Sequence, residues 1–215
     1  MENNLHTKEL FEQAYGDRTW KFYRDILASC IKYGQPGQWV DLGAGTGLFL
    51  ECAGKFGIRC IGLEGSLEGI EVAKQRCPEL DMRYHLLDQR LPFEDNSIST
   101  ILNNQVIEHL YPEVAAFMLK EVFRVLKKGG VLLINTPCWY DKKQRLSQTH
   151  INLYTPKRLK KELENAGFKV IHSDKSPRLI FGKTLPARYL MRILGKMIPI
   201  DFFSATSDCI AVKPE

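Results

Sequence analysis

The 215-residue sequence lacks the patterns that mark three special classes of protein. Its six cysteines form no C-x-x-C pair, so neither a zinc site nor a disulfide framework is indicated, and thiols buried in a reducing compartment are the simpler interpretation. No apolar run approaches the roughly 20 residues that a membrane-spanning helix needs. Residues 1–17 contain no basic and apolar leader of the kind that directs export. We therefore expect a cytoplasmic protein.

The composition that is present is typical of an ordinary folded protein. Apolar residues make up 44% of the chain and charged residues 26%, and a chain of this length is expected to form one domain, residues 1–215. The net charge is +5, with the basic excess late in the chain, at 142–145, 157–161 and 183–196. Such clusters could contact phosphate groups or an anionic membrane, or they could be solvated helix faces. Charge alone therefore identifies no partner.

Short apolar runs alternate with helical segments over most of the chain. This alternation predicts an α/β fold with a doubly wound, mostly parallel sheet and helices on both faces. Residues 1–37 are predicted to be mainly helical, and 177–207 to form a lid-like insertion before the last strand. The predicted strands are 39–42, 59–63, 82–87, 98–102, 131–135, 169–173 and 208–212. The predicted helices are 48–55, 67–76, 112–126 and Pro156 to Gly167, with a turn at 127–130.

The first predicted strand runs into a turn with three alternate glycines, Gly43, Gly45 and Gly47. Glycine is needed where the backbone adopts positive φ or where a ligand approaches the main chain closely. Glu64 ends the second strand, where a carboxylate can accept both hydroxyls of a ribose. The nicotinamide fingerprint G-x-G-x-x-G would need a glycine at position 48, but Leu48 stands there. The spacing therefore favours a nucleoside with an amino-acid tail over a dinucleotide.

A further acceptor follows the third predicted strand. Asp88 stands in the loop after that strand, where its carboxylate can accept a hydrogen bond from the exocyclic amine of adenine. The ends of three successive strands thus converge on one crevice, as expected at the switch point of a doubly wound sheet.

Four segments together carry a resemblance to a known family. They are Asp41–Gly47, Asp88–Phe93, Gln105–His109 and Leu126–Ile134. Their order and residues resemble four motifs of class I S-adenosylmethionine-dependent methyltransferases, nearest to the type 11 group that includes ubiquinone and menaquinone biosynthetic enzymes. The resemblance implies a seven-stranded sheet of order 3-2-1-4-5-7-6 with an antiparallel last strand.

The resemblance also implies a cofactor, S-adenosylmethionine, with S-adenosylhomocysteine as its product. By this resemblance the glycines would wrap the methionine part and Glu64 would hold the ribose. Asp88 and Gln89 would face the adenine, and Asn103 would lie beside the sulfonium through its backbone or side chain. The full predicted cofactor site is Asp41, Gly43, Gly45, Gly47, Glu64, Gly65, Asp88, Gln89 and Asn103.

One departure from the family concerns metal binding. Quinone-type members of the family that use a metal carry the motif Glu-x-x-Glu-His. This chain has Gln105, Glu108 and His109 at the corresponding positions. A neutral amide is a poorer ligand for a hard cation than a carboxylate. We therefore predict no metal site.

Methyl transfer from a sulfonium needs a base only if the acceptor has a proton to lose. Histidine titrates near neutrality, and His109 and His150 are the candidate catalytic residues, although His109 could instead fix the start of the following helix. Tyr15, Trp139 and Tyr154 are candidates to line the acceptor pocket, although aromatic residues are also common in cores.

The expected acceptor is a small molecule or a lipid- or glycan-linked group, methylated at oxygen or nitrogen. Methyltransferases of this fold that modify nucleic-acid bases carry the motif Asn/Asp-Pro-Pro-Tyr/Phe after the fourth strand. Residues 103–106 here are Asn-Asn-Gln-Val, which disfavours a nucleic-acid acceptor. A nucleic-acid methyltransferase and a non-catalytic cofactor-binding scaffold are the alternatives.

The stretch 185–199 would place Arg188, Arg192 and Lys196 on one helical stripe, as in a membrane-surface helix or an amphipathic lid. The sequence indicates no oligomeric state.

Overall fold

A seven-stranded sheet forms the centre of the part of the chain that the computed structural model describes, residues 20–177 and 204–215. The strand order is β3-β2-β1-β4-β5-β7-β6, which confirms the predicted order. The strands are β1 (Trp39–Leu42), β2 (Cys60–Glu64), β3 (Met82–Tyr84), β4 (Ile98–Asn104), β5 (Leu126–Pro137), β6 (Lys169–Pro177) and β7 (Ser204–Val212).

Six α-helices and a short 3₁₀ turn accompany these strands within the described ranges. They are α1 (Trp20–Tyr33), α2 (Leu48–Gly54), α3 (Leu67–Arg76), the 3₁₀ turn (Ile107–His109), α4 (Pro112–Val125), α5 (Lys142–Arg145) and α6 (Pro156–Asn165). Among the described residues, no helix has both the length and the apolar character needed to cross a bilayer. The predicted N-terminal helix before residue 20, Tyr15 and the stretch 185–199 lie outside the described residues.

The first five strands in the sheet order are parallel neighbours. β1 pairs in parallel with both β2 and β4, so that Asp41 lies opposite Gly62 on one side and Leu102 on the other. β7 runs antiparallel to both β5 and β6. The carboxyl ends of β1, β2 and β4 therefore meet at one edge, which is where ligands bind in open α/β sheets.

Two hydrophobic clusters cover the two faces of the sheet. Val40 and Leu42 belong to a cluster with the apolar faces of α4 and α6, and Trp39 belongs to a second cluster with residues of α1, α2 and α3. Successive side chains of a strand point to opposite faces, and all four residues of β1 are buried. Burial on both faces is typical of a parallel sheet between two helical layers.

Helix starts follow the local chemistry of the sequence. The hydroxyl of Ser66 accepts a hydrogen bond from the Gly69 amide at the start of α3. Thr155 likewise accepts from the Arg158 amide, with Pro156 in the first turn of α6. Such hydroxyls satisfy amides that have no partner within the helix, which confirms the predicted start of α6.

Several predicted boundaries differ from the structure. β3 ends at Tyr84 rather than at 87, and β5 begins at Leu126. The predicted turn at 127–130 lies inside β5 as a bulge, because the register with β4 steps from Ile98 opposite Leu126 to Thr100 opposite Val131. β6 extends to 177 and β7 begins at 204, so 177 and 204–207 belong to paired strands rather than to the predicted insertion.

Candidate functional site

The glycine turn after β1 has the backbone shape that the sequence predicted. Gly43, Gly45 and Gly47 have φ values of 73°, 56° and 70°, in the left-handed region that favours glycine. The amides of Gly43 and Ala44 both donate to the carbonyl oxygen of Leu63, at 2.8 and 3.0 Å. The turn is thereby tied to the end of β2 and leaves bare main chain beside the crevice.

Close packing is a second reason for glycine at position 43. A Cβ on Gly43 would lie 2.4 Å from the Cγ2 atom of Val106, far inside van der Waals contact. Val106 immediately precedes the 3₁₀ turn and accepts a hydrogen bond from the amide of His109. The glycine turn is therefore packed directly against the segment that carries His109.

Glu64 connects the second strand to the glycine turn. Its Oε2 atom accepts a hydrogen bond of 2.6 Å from the Gly45 amide, and its Oε1 atom accepts one of 2.9 Å from the Ser66 amide. Each carboxylate oxygen has two acceptor positions, so a single hydrogen bond from an amide does not by itself saturate an oxygen. The carboxylate is held at the place where the sequence predicted a ribose contact.

Asp41 is a buried acid at the same edge of the sheet. It is only 4% exposed, and it lines a small pocket with Tyr23, Gly43, Phe49 and Asn104, together with Ala44 and Leu102. The pKa of Asp41 is raised from 3.8 to about 8, chiefly by burial and to a smaller extent by the charge of Glu64. A cationic ligand in this pocket would favour the ionised form.

The raised pKa of Asp41 leads to a prediction about the pH dependence of stability. Because the folded-state pKa of Asp41 lies above its ordinary value, the protonated acid is favoured by folding. Its contribution to the free energy of unfolding is fully present below about pH 4 and is lost as the pH rises through about 8. Asp41→Asn resembles the protonated acid, so we expect it to be more stable than the wild type at pH 8–9, by at most about 6 kcal/mol. Its advantage should vanish near pH 4. The titratable groups that interact electrostatically with Asp41 are the carboxylate of Glu64 and the thiols of Cys30 and Cys60.

The measurement is the free energy of urea unfolding as a function of pH for both proteins. Parallel curves from pH 4 to pH 9 would contradict the raised pKa of Asp41.

The remaining predicted cofactor residues occupy different positions around the crevice. Asp88 and Gln89 are exposed in the loop after β3, and a Cβ on Gly65 would lie 3.2 Å from Leu86 of that loop. The side chain of Asn103 is fully buried, with its amide nitrogen 3.7 Å from the sulfur of Met118 on the α4 side of the sheet. The side chain of Asn103 is thus directed to the α4 side, and a sulfonium contact through its backbone stays a prediction. Asn104, the next residue along β4, lines the pocket instead.

The structure brings together the two candidate histidines, which lie in separate segments of the sequence. The ring centroids of His109 and His150 are 5.0 Å apart, with the planes at 65°. Glu108, which sequence reasoning did not include as a site residue, completes the group: its Oε1 atom lies 3.8 Å from the Nε2 atom of His109. Its carboxylate is fully buried and its Oε2 atom accepts from the hydroxyl of Thr136 at 2.9 Å. The adjacency of Glu108 to His109 in the motif was the available signal.

Backbone carbonyls orient both imidazole rings. The Nδ1 atom of His109 donates to the carbonyl oxygen of Thr149 at 2.9 Å, and that of His150 donates to the carbonyl oxygen of Gln144 at 3.2 Å. The amide of Asn152 donates to the carbonyl oxygen of Glu108. The loop from β5 to α6 is thus attached to the 3₁₀ turn on both sides of His150, and burial lowers the pKa of His150.

The two aromatic candidates within the described residues, Trp139 and Tyr154, lie in different environments. Trp139 is 46% exposed, and the guanidinium of Arg145 lies 4.7 Å from its ring, so a role at an acceptor pocket stays a prediction. Tyr154 has no exposed surface and belongs to the core, and its hydroxyl accepts from Asn152. The prediction that Tyr154 lines the acceptor pocket is therefore corrected. Its ring is enclosed in the core beneath the guanidinium of Arg158, a contact that the sequence does not reveal.

Comparisons with known proteins agree with this geometry. A family model described as a methyltransferase domain matches residues 15–173. The chain is 33% identical over 135 residues to a probable S-adenosylmethionine-dependent methyltransferase of Mycolicibacterium smegmatis, covering 61% of this chain and 51% of that protein. It is 30% identical over 99 residues to a ubiquinone biosynthesis O-methyltransferase of Pelagibacter ubique, covering 45% and 40%. The chain thus spans about half the length of the curated relatives it matches.

Solved structures share the fold at low sequence identity. A methyltransferase from Archaeoglobus fulgidus, described as dependent on S-adenosylmethionine, has a TM-score of 0.72 at 20% identity, covering 97% of this chain and all of that chain. Phosphoethanolamine N-methyltransferase 2 of Haemonchus contortus, in complex with S-adenosylmethionine, has a TM-score of 0.73 at 19% identity, covering 99% and 59%.

Proposed function

We propose that the chain, which belongs to the methyltransferase domain family, takes S-adenosylmethionine as its methyl donor and methylates an oxygen or nitrogen atom of a small-molecule or lipid- or glycan-linked acceptor. The observation that carries this proposal is the position of Glu108, His109 and His150 beside the glycine turn. Val106 packs against Gly43 and starts the 3₁₀ turn. Polar groups that can handle an acceptor proton therefore lie next to the donor site.

The residues of the donor site fit S-adenosylmethionine. The turn carries no side chains at Gly43, Gly45 and Gly47, so a ligand can approach its main chain closely. Glu64 presents a carboxylate held by two backbone amides, which suits a ribose with two hydroxyls. Asp41 supplies a buried acid in the pocket, and a positively charged group of the donor bound there would favour its ionised form. When bound, S-adenosylmethionine supplies an activated methyl group, and the chain's contribution is then chiefly to position the acceptor.

Orientation accounts for much of the expected rate acceleration. In-line displacement requires the attacking atom, the methyl carbon and the sulfur to be collinear, and well-oriented intramolecular reactions gain about 7–11 kcal/mol. An acceptor hydroxyl or protonated amine must also lose a proton. Burial lowers the pKa of His150, which favours the neutral imidazole, the form that can accept that proton.

Two observations support a small acceptor. One curated relative is named as a ubiquinone biosynthesis O-methyltransferase, so small-molecule chemistry is represented among the relatives. Residues 103–106, at the end of β4 and after it, are Asn-Asn-Gln-Val, without the prolines of the base-modifying motif.

The acceptor class can be tested without knowing the acceptor. Purified protein is incubated with S-adenosylmethionine labelled in the methyl group and with a fractionated cell extract, and the label is then followed. We expect label in the small-molecule or lipid fraction. Label in RNA or protein would overturn the acceptor class, and donor binding without any transfer would favour a non-catalytic scaffold.

His150→Ala tests the role of the histidines. We expect the rate of label transfer to fall by about 100-fold, because a positioned acid or base contributes 10²–10⁴-fold, whereas the Kd for S-adenosylmethionine should not change. His172→Ala is the matched control, since His172 is exposed and stacks on Tyr33 away from the cluster. An unchanged rate in His150→Ala would remove His150 from the acceptor chemistry.

A further inference from the structure

We propose that Glu108, His109 and His150 together bind one divalent transition-metal ion. The proposal rests on the proposed function, because the ion would serve the same acceptor site. With the ion bound, the ion rather than the free imidazole of His150 would promote loss of the acceptor proton. It reverses the expectation from sequence, where Gln105 replaces a glutamate of the metal-binding pattern. In the structure the third ligand comes instead from a distant loop, through His150.

The three side chains are close enough to share one ion. Each offers one ligating atom, and these atoms lie within 4.8 Å of one another. Tetrahedral ligands about 2.0 Å from an ion are about 3.3 Å apart, so the group has to contract modestly on binding. Glu108 is fully buried and held by Thr136. His150 is half-buried in a loop, and it is the side chain that would move inward when the ion binds.

The hydrogen bonds of the rings set the tautomer that a metal ligand requires. Both Nδ1 atoms donate a proton to backbone carbonyls, of Thr149 and Gln144. In a neutral imidazole the lone pair is then on Nε2, and the Nε2 atom of His109 faces Glu108 at 3.8 Å. Ligating histidines almost always donate their other ring N–H to a carbonyl or carboxylate in this way.

The charge of Glu108 is a further argument. A fully buried carboxylate is costly unless it is paired with a cation or coordinates a metal ion. Glu108 has no exposed surface, and a divalent ion between it and the two imidazoles would compensate its charge. The hydroxyl of Thr136 would then orient the carboxylate as an outer-shell partner.

The ligand set indicates the class of ion and its use. Two imidazoles and one carboxylate suit Zn²⁺, Fe²⁺ or Co²⁺ better than Mg²⁺, which prefers oxygen ligands. Three protein ligands leave at least one coordination position open, as in catalytic zinc sites. An acceptor hydroxyl in that position would lose its proton more readily, because a bound cation lowers the pKa of a coordinated oxygen.

The test uses the full chain without an affinity tag, treated with a chelator and titrated with Co²⁺ alone. Calorimetry gives affinity and stoichiometry, and visible absorption shows nitrogen coordination. We expect one bound ion per chain. His150→Ala and Glu108→Gln should weaken binding by about 100-fold or more, since even outer-shell changes cost 10–100-fold. Circular dichroism and thermal melting check that both variants fold, and His150→Ala carries the test if Glu108→Gln does not.

Two control variants sharpen the outcome. His172→Ala removes a histidine outside the cluster, and Gln105→Asn changes the residue at the first position of the sequence motif. Asparagine tolerates the positive φ of 60° found at Gln105. Both should bind Co²⁺ as the wild type does. No bound ion in the wild type, or equal affinity in His150→Ala, would overturn the metal site. Co²⁺ binding without methyl transfer would instead refute the proposed function alone.

Discussion

Glu64→Ala is expected to weaken the binding of S-adenosylmethionine by about 100-fold or more. Removal of the carboxylate takes away the proposed acceptor of both ribose hydroxyls, and hydrogen bonds to charged groups contribute about 1.5–3 kcal/mol each. It also removes the acceptor of the Gly45 and Ser66 amides, so the glycine turn loses its anchor on β2. Both effects act in the same direction.

The conservative change is expected to be nearly as damaging. Both oxygens of Glu64 accept from backbone N–H groups. In Glu64→Gln one of these donors would face an NH₂ group, whichever way the amide is turned. Calorimetric titration with S-adenosylmethionine and S-adenosylhomocysteine measures the loss. Glu71→Gln is the matched control, because Glu71 is exposed on α3 and accepts a hydrogen bond from Gln75 of the same helix. Affinity of the wild-type value in Glu64→Ala would remove Glu64 from the cofactor site.

Gly43→Ala is expected to cost about 2–5 kcal/mol of unfolding free energy. The backbone at φ 73° costs a residue with a Cβ about 1–2 kcal/mol, and overpacking typically adds 1–3 kcal/mol. The added Cβ would lie 2.4 Å from the Cγ2 atom of Val106. Because this contact joins the cofactor turn to the 3₁₀ turn, donor binding and methyl transfer should both fall.

A double variant separates the two causes. Gly43→Ala combined with Val106→Ala removes the overlap but keeps the strained φ, so it should recover about 1–3 kcal/mol relative to the expected sum of the single changes. Gly54→Ala is the control, because nothing lies within 4 Å of its Cβ position and its φ is not positive. It should be neutral or stabilising by up to about 1 kcal/mol. Urea unfolding measures the wild type and the four variants, Gly43→Ala, Val106→Ala, their combination and Gly54→Ala. If the double variant recovers nothing, the contact with Val106 is not a cause of the loss.

Local patterns were sufficient for the secondary structure that positions the cofactor turn. β1 and the starts of α3, α4 and α6 lie where the sequence pattern predicted them, and Ser66, Pro112 and Thr155 stand at these helix starts. These signals act between residues a few positions apart, so they are visible along the chain. The bulge at 127–130 was missed, because a glycine turn and a bulge have similar local sequences and only pairing with β4 distinguishes them.

The amino-acid order by itself determined the alternating elements, the glycine turn and the carboxylate at the end of β2, because each depends on neighbours in the chain. Tertiary structure alone decided that Tyr154 is enclosed in the core, that the amide of Asn103 points to Met118, and that His150 meets His109 across 41 positions of sequence. These contacts depend on how the sheet and the loop from β5 to α6 are brought together in space. No local periodicity encodes such a distance.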